Sequence, residues 1–195
     1  MTRGLPARGP ALAGTVLAAL LVACGGGSGG GTEGADPTGA EKSGGVALAF
    51  TADEPNPGPA SSSLAIETLV GDTAGLRVSV REVDDVRSAS LDVTFDPAKV
   101  DFVDWSAGDL LESGGQQPFY LVAEQPGRVV IGVSLSGSGP GIDVGAPLSL
   151  VRLTFRALGP GSSHLAFENM ALLDAQAVPQ EIPGIAWHGG TLSAN

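Results

Sequence analysis

The chain has one cysteine, two histidines and one tyrosine in 195 residues, and each scarcity removes a class of function. A single cysteine forbids an internal disulfide and any Cys-x-x-Cys redox or zinc pair. His164 and His188 stand alone in sequence. With no His-x-x-x-His, His-Glu-x-x-His or Gly-x-Ser-x-Gly word, the residue sets of zinc and serine hydrolases are missing. The chain is therefore predicted not to be an enzyme. Basic residues are also few: Lys and Arg total 10 against 21 Asp and Glu, a formal charge of −11. A nucleic-acid backbone is held by clustered Lys and Arg; here they are scattered singly between acids, which excludes nucleic acid as a partner. Charged residues at 16% lie below the usual quarter, while 43% hydrophobic is enough for one core, so the chain is not a disordered polyampholyte throughout. Glycine at 30 and proline at 14 favour turns and linkers over long helices.

No apolar run is long enough to span a bilayer. The longest, Ala11 to Val22 behind Arg3 and Arg8, reaches about 18 Å as a helix against a hydrocarbon core of ~30 Å. A short apolar run behind basic residues reads as the h-region of a signal peptide. It ends in Leu21-Val22-Ala23-Cys24, which resembles the lipobox of bacterial lipoproteins, whose cysteine is acylated and becomes the new N-terminus. Residues 1–23 are read as a lipoprotein signal peptide and Cys24 as the lipidation site, placing the protein in the cell envelope, anchored and facing outward. Gly25 rather than Asp follows Cys24, so in a Gram-negative cell the outer membrane is the expected destination.

Residues 24–62 are Gly-, Pro- and acid-rich and hold few apolar side chains to offset the entropy of ordering, which is the composition of a flexible tether. Val46 to Thr51 interrupts it with a strand-like alternation, read either as an extra strand on the domain edge or as a sticky linker patch. From 63 to 195 the period becomes two. Leu76, Val78 and Val80 alternate with polar residues, as do Ala89, Leu91, Val93 and Phe95. Further runs at Phe119–Val122, Arg128–Ser134, Leu150–Arg156, His164–Glu168 and Ile185–Leu192 are separated by Gly and Pro clusters. Nine or so short strands with no 3.6-residue stripe predict an all-β sandwich or barrel, and the long connections at 108–117 and 136–146 suit crossovers between two sheets.

Particular words then become informative. Phe95-Asp96-Pro97-Ala98-Lys99-Val100-Asp101-Phe102-Val103, followed by Gly108-Asp109-Leu110-Leu111, resembles the cohesin domain. GRVVIGVSLSG at 127–137, LVRLTFRALGPG at 150–161 and LLDAQAVPQEIPGIAWHGGTL at 172–192 continue that resemblance over roughly 64–192. It implies a nine-stranded jelly-roll β-sandwich whose task is to bind a dockerin, a small calcium-loaded helical module. Calcium would then enter through the partner, since no Asp-x-Asp-x-Asp-Gly loop is present here. Cellulose-binding modules share the fold, so polysaccharide binding is the alternative and a purely structural surface lipoprotein a third reading.

In cohesins the third, fifth and sixth strands contact the partner. Mapped onto 88–95, 118–124 and 128–135, alternation exposes Ser90, Asp92 and Thr94, then Val130, Gly132 and Ser134. On the middle strand Phe119 and Leu121 are placed inward, leaving Tyr120, Val122 and Glu124 on the partner face. The acids Asp84, Asp85, Asp92, Asp96, Asp101, Asp104, Asp109 and Glu112 are read as serving solubility, or as an acidic binding face or a low-affinity calcium site. Trp105 and Trp187 are read as core or rim, too few with Tyr120 for a polysaccharide platform.

Overall fold

The computed structural model describes residues 47–195; the 1–23 leader, Cys24 and the tether as far as residue 46 lie outside the described residues. Strands follow in the order β1 (Leu48–Ala52), β2 (Ser61–Val70), β3 (Thr73–Arg81), β4 (Val83–Val86), β5 (Ser88–Thr94), β6 (Val100–Ala107), β7 (Pro118–Gln125), β8 (Arg128–Leu135), β9 (Ile142–Val144), β10 (Leu148–Ala157), β11 (Gly161–Leu173), β12 (Ala186–His188) and β13 (Gly190–Ala194). Two sheets face each other in an all-β sandwich. The first has 6 strands in the order β1-β13-β11-β5-β8-β7, the second 5 in the order β12-β2-β3-β10-β6, and β4 pairs with β9 beside them. The expected sandwich is thus present, with short strands added at its margins. Among the described residues no helix is long and apolar enough to cross a membrane.

Period-two sequence puts one side chain in two between the sheets. Leu76, Val78 and Val80 from β3, Leu91 and Val93 from β5, Val129, Ile131 and Val133 from β8, and Leu153 and Phe155 from β10 are all buried. Phe95 and Phe102 meet Phe155 edge-on, with ring centroids 5.5 and 5.8 Å away. Each fully buried Leu, Ile, Val or Phe contributes about 1.5–3 kcal/mol of transfer free energy, so this interface carries most of the favourable term.

The words that carry the family resemblance have local physical work. Asp96 follows β5, where the chain must leave the first sheet for β6 in the second. Its Oδ1 accepts the Ala98 N–H at 2.9 Å, and its carbonyl accepts the N–H groups of Lys99 and Val100 at 3.0 and 3.1 Å. Pro97 fixes φ inside that turn. After β6, Leu110 and Leu111 plug the sandwich end, both fully buried. Asp109 Oδ1 accepts the Ser149 N–H at 2.8 Å, and a Cβ on Gly108 would strike the Ser149 carbonyl oxygen. Only glycine lets the backbones approach so closely there.

Of the strand-like segment at 46–51, residues 48–51 belong to a paired edge strand, since β1 runs antiparallel to β13 with Leu48 opposite Ala194 and Ala52 opposite Gly190; Val46 lies outside the described residues. β2 opens at Ser61, ahead of the boundary at 63, and Ser61, Ser62 and Ser63 are all buried. The single strand expected across Ile185–Leu192 divides at Gly189 into β12, parallel to β2 in the second sheet, and β13 in the first.

Candidate docking face

The outer surface of the first sheet presents β5, β8 and β7 side by side, and the register places their side chains in rows. Phe119 lies opposite Ser134, Leu121 opposite Gly132, and Ala123 opposite Val130. On the other side of β8, Gly132 lies opposite Ser90, Val130 opposite Asp92, and Arg128 opposite Thr94. Ser90, Thr94, Val130, Gly132 and Ser134 therefore sit on the face where alternation puts them, opposite the buried Leu91, Val93, Val129, Ile131 and Val133.

The middle strand corrects the sequence reading. Phe119 and Leu121 point outward, 64% and 55% exposed, whereas Tyr120 and Val122 turn inward and pack against the core. Tyr120 stacks obliquely on Trp105, centroids 5.7 Å apart, and its hydroxyl donates to the Gly108 carbonyl at 3.2 Å. Burial, followed by the charge of Glu112, pushes the Tyr120 hydroxyl above its ordinary value of 10.0. These contacts fix the strand's orientation, because a tyrosine facing inward gains both an aromatic neighbour and a hydrogen-bond acceptor. Glu124 shares the inward side of β7 with Tyr120 and Val122, opposite the buried Val129, and not the outer face expected for it; it is exposed because it lies near the end of the strand.

Asp92 is on the expected face but is only 6% exposed. Arg128 Nη1 reaches its Oδ2 at 3.3 Å and Asn169 Nδ2 donates to the same oxygen at 2.8 Å. Asn169 belongs to an irregularity in β11, where pairing with β5 slips between Glu168 and Ala171, and its φ is +48°. A carboxylate satisfied from two sides holds this bulge against β5, so Asp92 shapes the face and does not offer a free charge. Sequence reasoning missed Asn169 because nothing in Phe167-Glu168-Asn169-Met170 signals a bulge except the Asn, which tolerates positive φ.

The centre of the face is Leu121 over Gly132 and Ser90, its edge ridge is Phe119, and Ser88 and Ser134 border it. A concavity of about 410 Å³ exists elsewhere, lined by Phe50, Pro55, Pro57, Arg77 and Arg81. A sheet face with exposed apolar anchors among small residues suits a macromolecule more than a small ligand, whose sites are concave.

The acids between Asp84 and Glu112 are dispersed into separate tasks. Asp101 pairs with Arg156 at 2.8 Å, Asp104 caps the Trp105 N–H, and Asp85 accepts backbone N–H groups from Gly141 and Ala175. Among the described residues no group of three His, Cys, Asp or Glu is placed to hold a metal ion. The aromatics form no flat outer platform: Trp105 lies against Tyr120, and Trp187 meets Phe167 edge-on at 5.2 Å.

The two-sheet sandwich with crossovers keeps Gly108, Leu110 and Leu111 buried beside an exposed Asp109 and carries Phe119 and Leu121 exposed on one outer face. The sequence profile of the cohesin domain matches residues 65–184, and the chain belongs to the cohesin family, whose domains are non-catalytic docking modules. The fold is similar to that of the cohesin CaCohA2 from Clostridium acetobutylicum, at 20% identity over 67% of this chain and 87% of that one, TM-score 0.52. It is similar also to the second type II cohesin module of an adaptor scaffoldin from Acetivibrio cellulolyticus, at 13% identity over 73% and 92%, TM-score 0.52. A third similar structure, from the same organism, is a type II cohesin in complex with an X-dockerin, at 11% identity over 73% and 94%, TM-score 0.52. No curated protein sequence matches the chain.

Proposed function

We propose that the protein is a lipid-anchored docking module of the cell envelope, whose cohesin domain captures a dockerin-type protein on the outer face of β5, β8 and β7. The observation that carries this reading is the exposed pair Phe119 and Leu121 beside the small residues Gly132, Ser90 and Ser134. Small positions let a partner backbone approach, and an aromatic beside a leucine supplies the apolar centre in which binding energy concentrates. Membership in a family with a dockerin-bound structure supports the partner class. Ser90, Thr94, Val130, Gly132 and Ser134 would form the contact floor, while Asp92, Tyr120 and Val122 act from beneath and Glu124, on the inward side of β7, stands apart from the face.

Acylation at Cys24 would tether the domain, with outer-membrane residence if the cell has one, because two or three acyl chains anchor durably where one does not. The test has two arms. The mature chain, immobilised and exposed to proteins secreted by its own cell, is expected to retain a calcium-loaded helical protein and to lose it on chelation. Retention on insoluble polysaccharide in place of protein would favour the carbohydrate reading and overturn the docking one. In cells, Cys24→Ser is expected to move the protein from membranes to the soluble fraction, and unchanged partition would overturn the anchor.

A further inference from the structure

Exposed apolar side chains also collect at one end of the sandwich, away from the docking face. Leu69 and Val70 close β2 just before the Gly71-Asp72 turn, and Leu158 follows β10; all three are exposed. The backbone brings the two segments to the same end. The Ala157 N–H donates to the Asp72 carbonyl at 2.8 Å, and Val70 and Arg156 are both register partners of Thr73. The chain also enters the domain here: the Leu48 N–H reaches the Gly71 carbonyl at 3.4 Å, and Ala47 pairs with Asn195.

We infer that this end, with Leu69, Val70 and Leu158 at its tip, is a lipid-contact surface that seats the domain on the bilayer to which its tether is attached. The inference rests on the lipid-anchor reading. Residues 24–46 can span no more than about 75–85 Å even at full extension, so an anchored domain would be held near lipid at a high effective concentration. Three apolar side chains that would not hold a free protein on a membrane then suffice, since linkage makes their contact intramolecular. Leu69 and Val70 flank the Gly71-Asp72 turn, whose exposed Asp72 would lie among the headgroups while the leucine and valine beside it enter their apolar boundary. The contact is apolar, so it should form on zwitterionic lipid and resist salt. It would also stand the strands across the membrane plane, leaving the β5-β8-β7 face open sideways.

The test uses the mature chain with the Cys24 thiol, the only one present, coupled chemically to a maleimide lipid in phosphatidylcholine vesicles. Val70→Trp and Val178→Trp report the two ends. Both valines are highly exposed, at 74% and 71%, and Val178 lies in the loop after β11, where Leu173 is paired with Ser88 at the opposite end of the sandwich. With brominated phosphatidylcholine, the added Trp at position 70 is expected to lose about half or more of its emission, as an indole within the acyl boundary would, and the one at 178 to keep it. Leu69→Ser with Leu158→Ser should restore the emission at 70. Equal quenching at both positions, or at neither, overturns the inference. So does a finding that the serine variants change the sedimentation of the unanchored chain, which would make the patch a contact between copies. Coupling is chemical here, so the outcome is independent of acylation in the cell, which the mass of the native protein reads separately.

Discussion

Leu121 lies directly opposite Gly132 across the β7–β8 pair, and Gly132 has no side chain with which to cover it. A Cβ placed on Gly132 would come no nearer than 3.8 Å to Leu121 Cβ. The glycine is therefore not required by crowding within the sheet. It leaves an open floor beside an exposed leucine.

The first prediction separates the two faces of β7. Leu121→Asp or Phe119→Asp should leave the domain folded, because both side chains project into solvent, and should weaken partner binding about 30-fold or more, the scale of a hot-spot residue. Tyr120→Ala should act in the opposite way, lowering the urea midpoint through loss of the Trp105 and Gly108 contacts. Equilibrium unfolding and titration on the same variants distinguish the outcomes.

The second prediction concerns Asp92. Asp92→Ala strands the Arg128 guanidinium and the Asn169 amide and removes the clamp on the β11 bulge. A cost of about 1–3 kcal/mol is expected from unfolding curves, larger than for Ser90→Ala on the same strand. Equal stability of the two variants would mean that the network contributes nothing.

The third prediction addresses the core. Leu91→Asp, Ile131→Asp and Leu153→Asp each place a carboxylate in a site at most 1% exposed, and several kcal/mol of uncompensated burial against a total of about 5–15 should unfold the domain. Ser90→Asp should be tolerated. Circular dichroism of the purified variants reads both results.

The fourth prediction follows from the raised hydroxyl of Tyr120. A group whose folded value lies above its unfolded one contributes stability that is complete below the unfolded value near pH 10 and is lost as pH rises through the folded value. The midpoint of wild-type unfolding should fall as pH climbs past about 10, and Tyr120→Phe should flatten that fall. An unchanged alkaline slope would show that Tyr120 ionises freely.

Much of this architecture is legible in residue order. Alternation in Ser88–Phe95 is strict and in Arg128–Leu135 is broken only by Val130, so the buried sets of β5 and β8 follow from period two. Phe119-Tyr120-Leu121-Val122 is apolar at every position, and period two cannot then choose a face. The decision belongs to tertiary contacts, the Trp105 ring and the Gly108 carbonyl, which lie outside the strand. Ser61 and Ser62 read as linker because hydroxyls are cheap to expose, yet both are buried beside β12 and β3. The division at Gly189 depends on the proximity of Leu165, remote in sequence. Asp92 shows the complementary limit: alternation assigns its side of the sheet, but its burial comes from a bulge in β11.

Hydrogen exchange on the complex with the captured partner tests the central claim most directly. Binding through the proposed face should slow exchange at Phe119–Ala123, Ser88–Asp92 and Val130–Ser134, with β3 and β10 of the second sheet unchanged. Protection concentrated on β3 and β10, or on the loops at 137–141 and 174–185, with the three face segments unaffected, would contradict it.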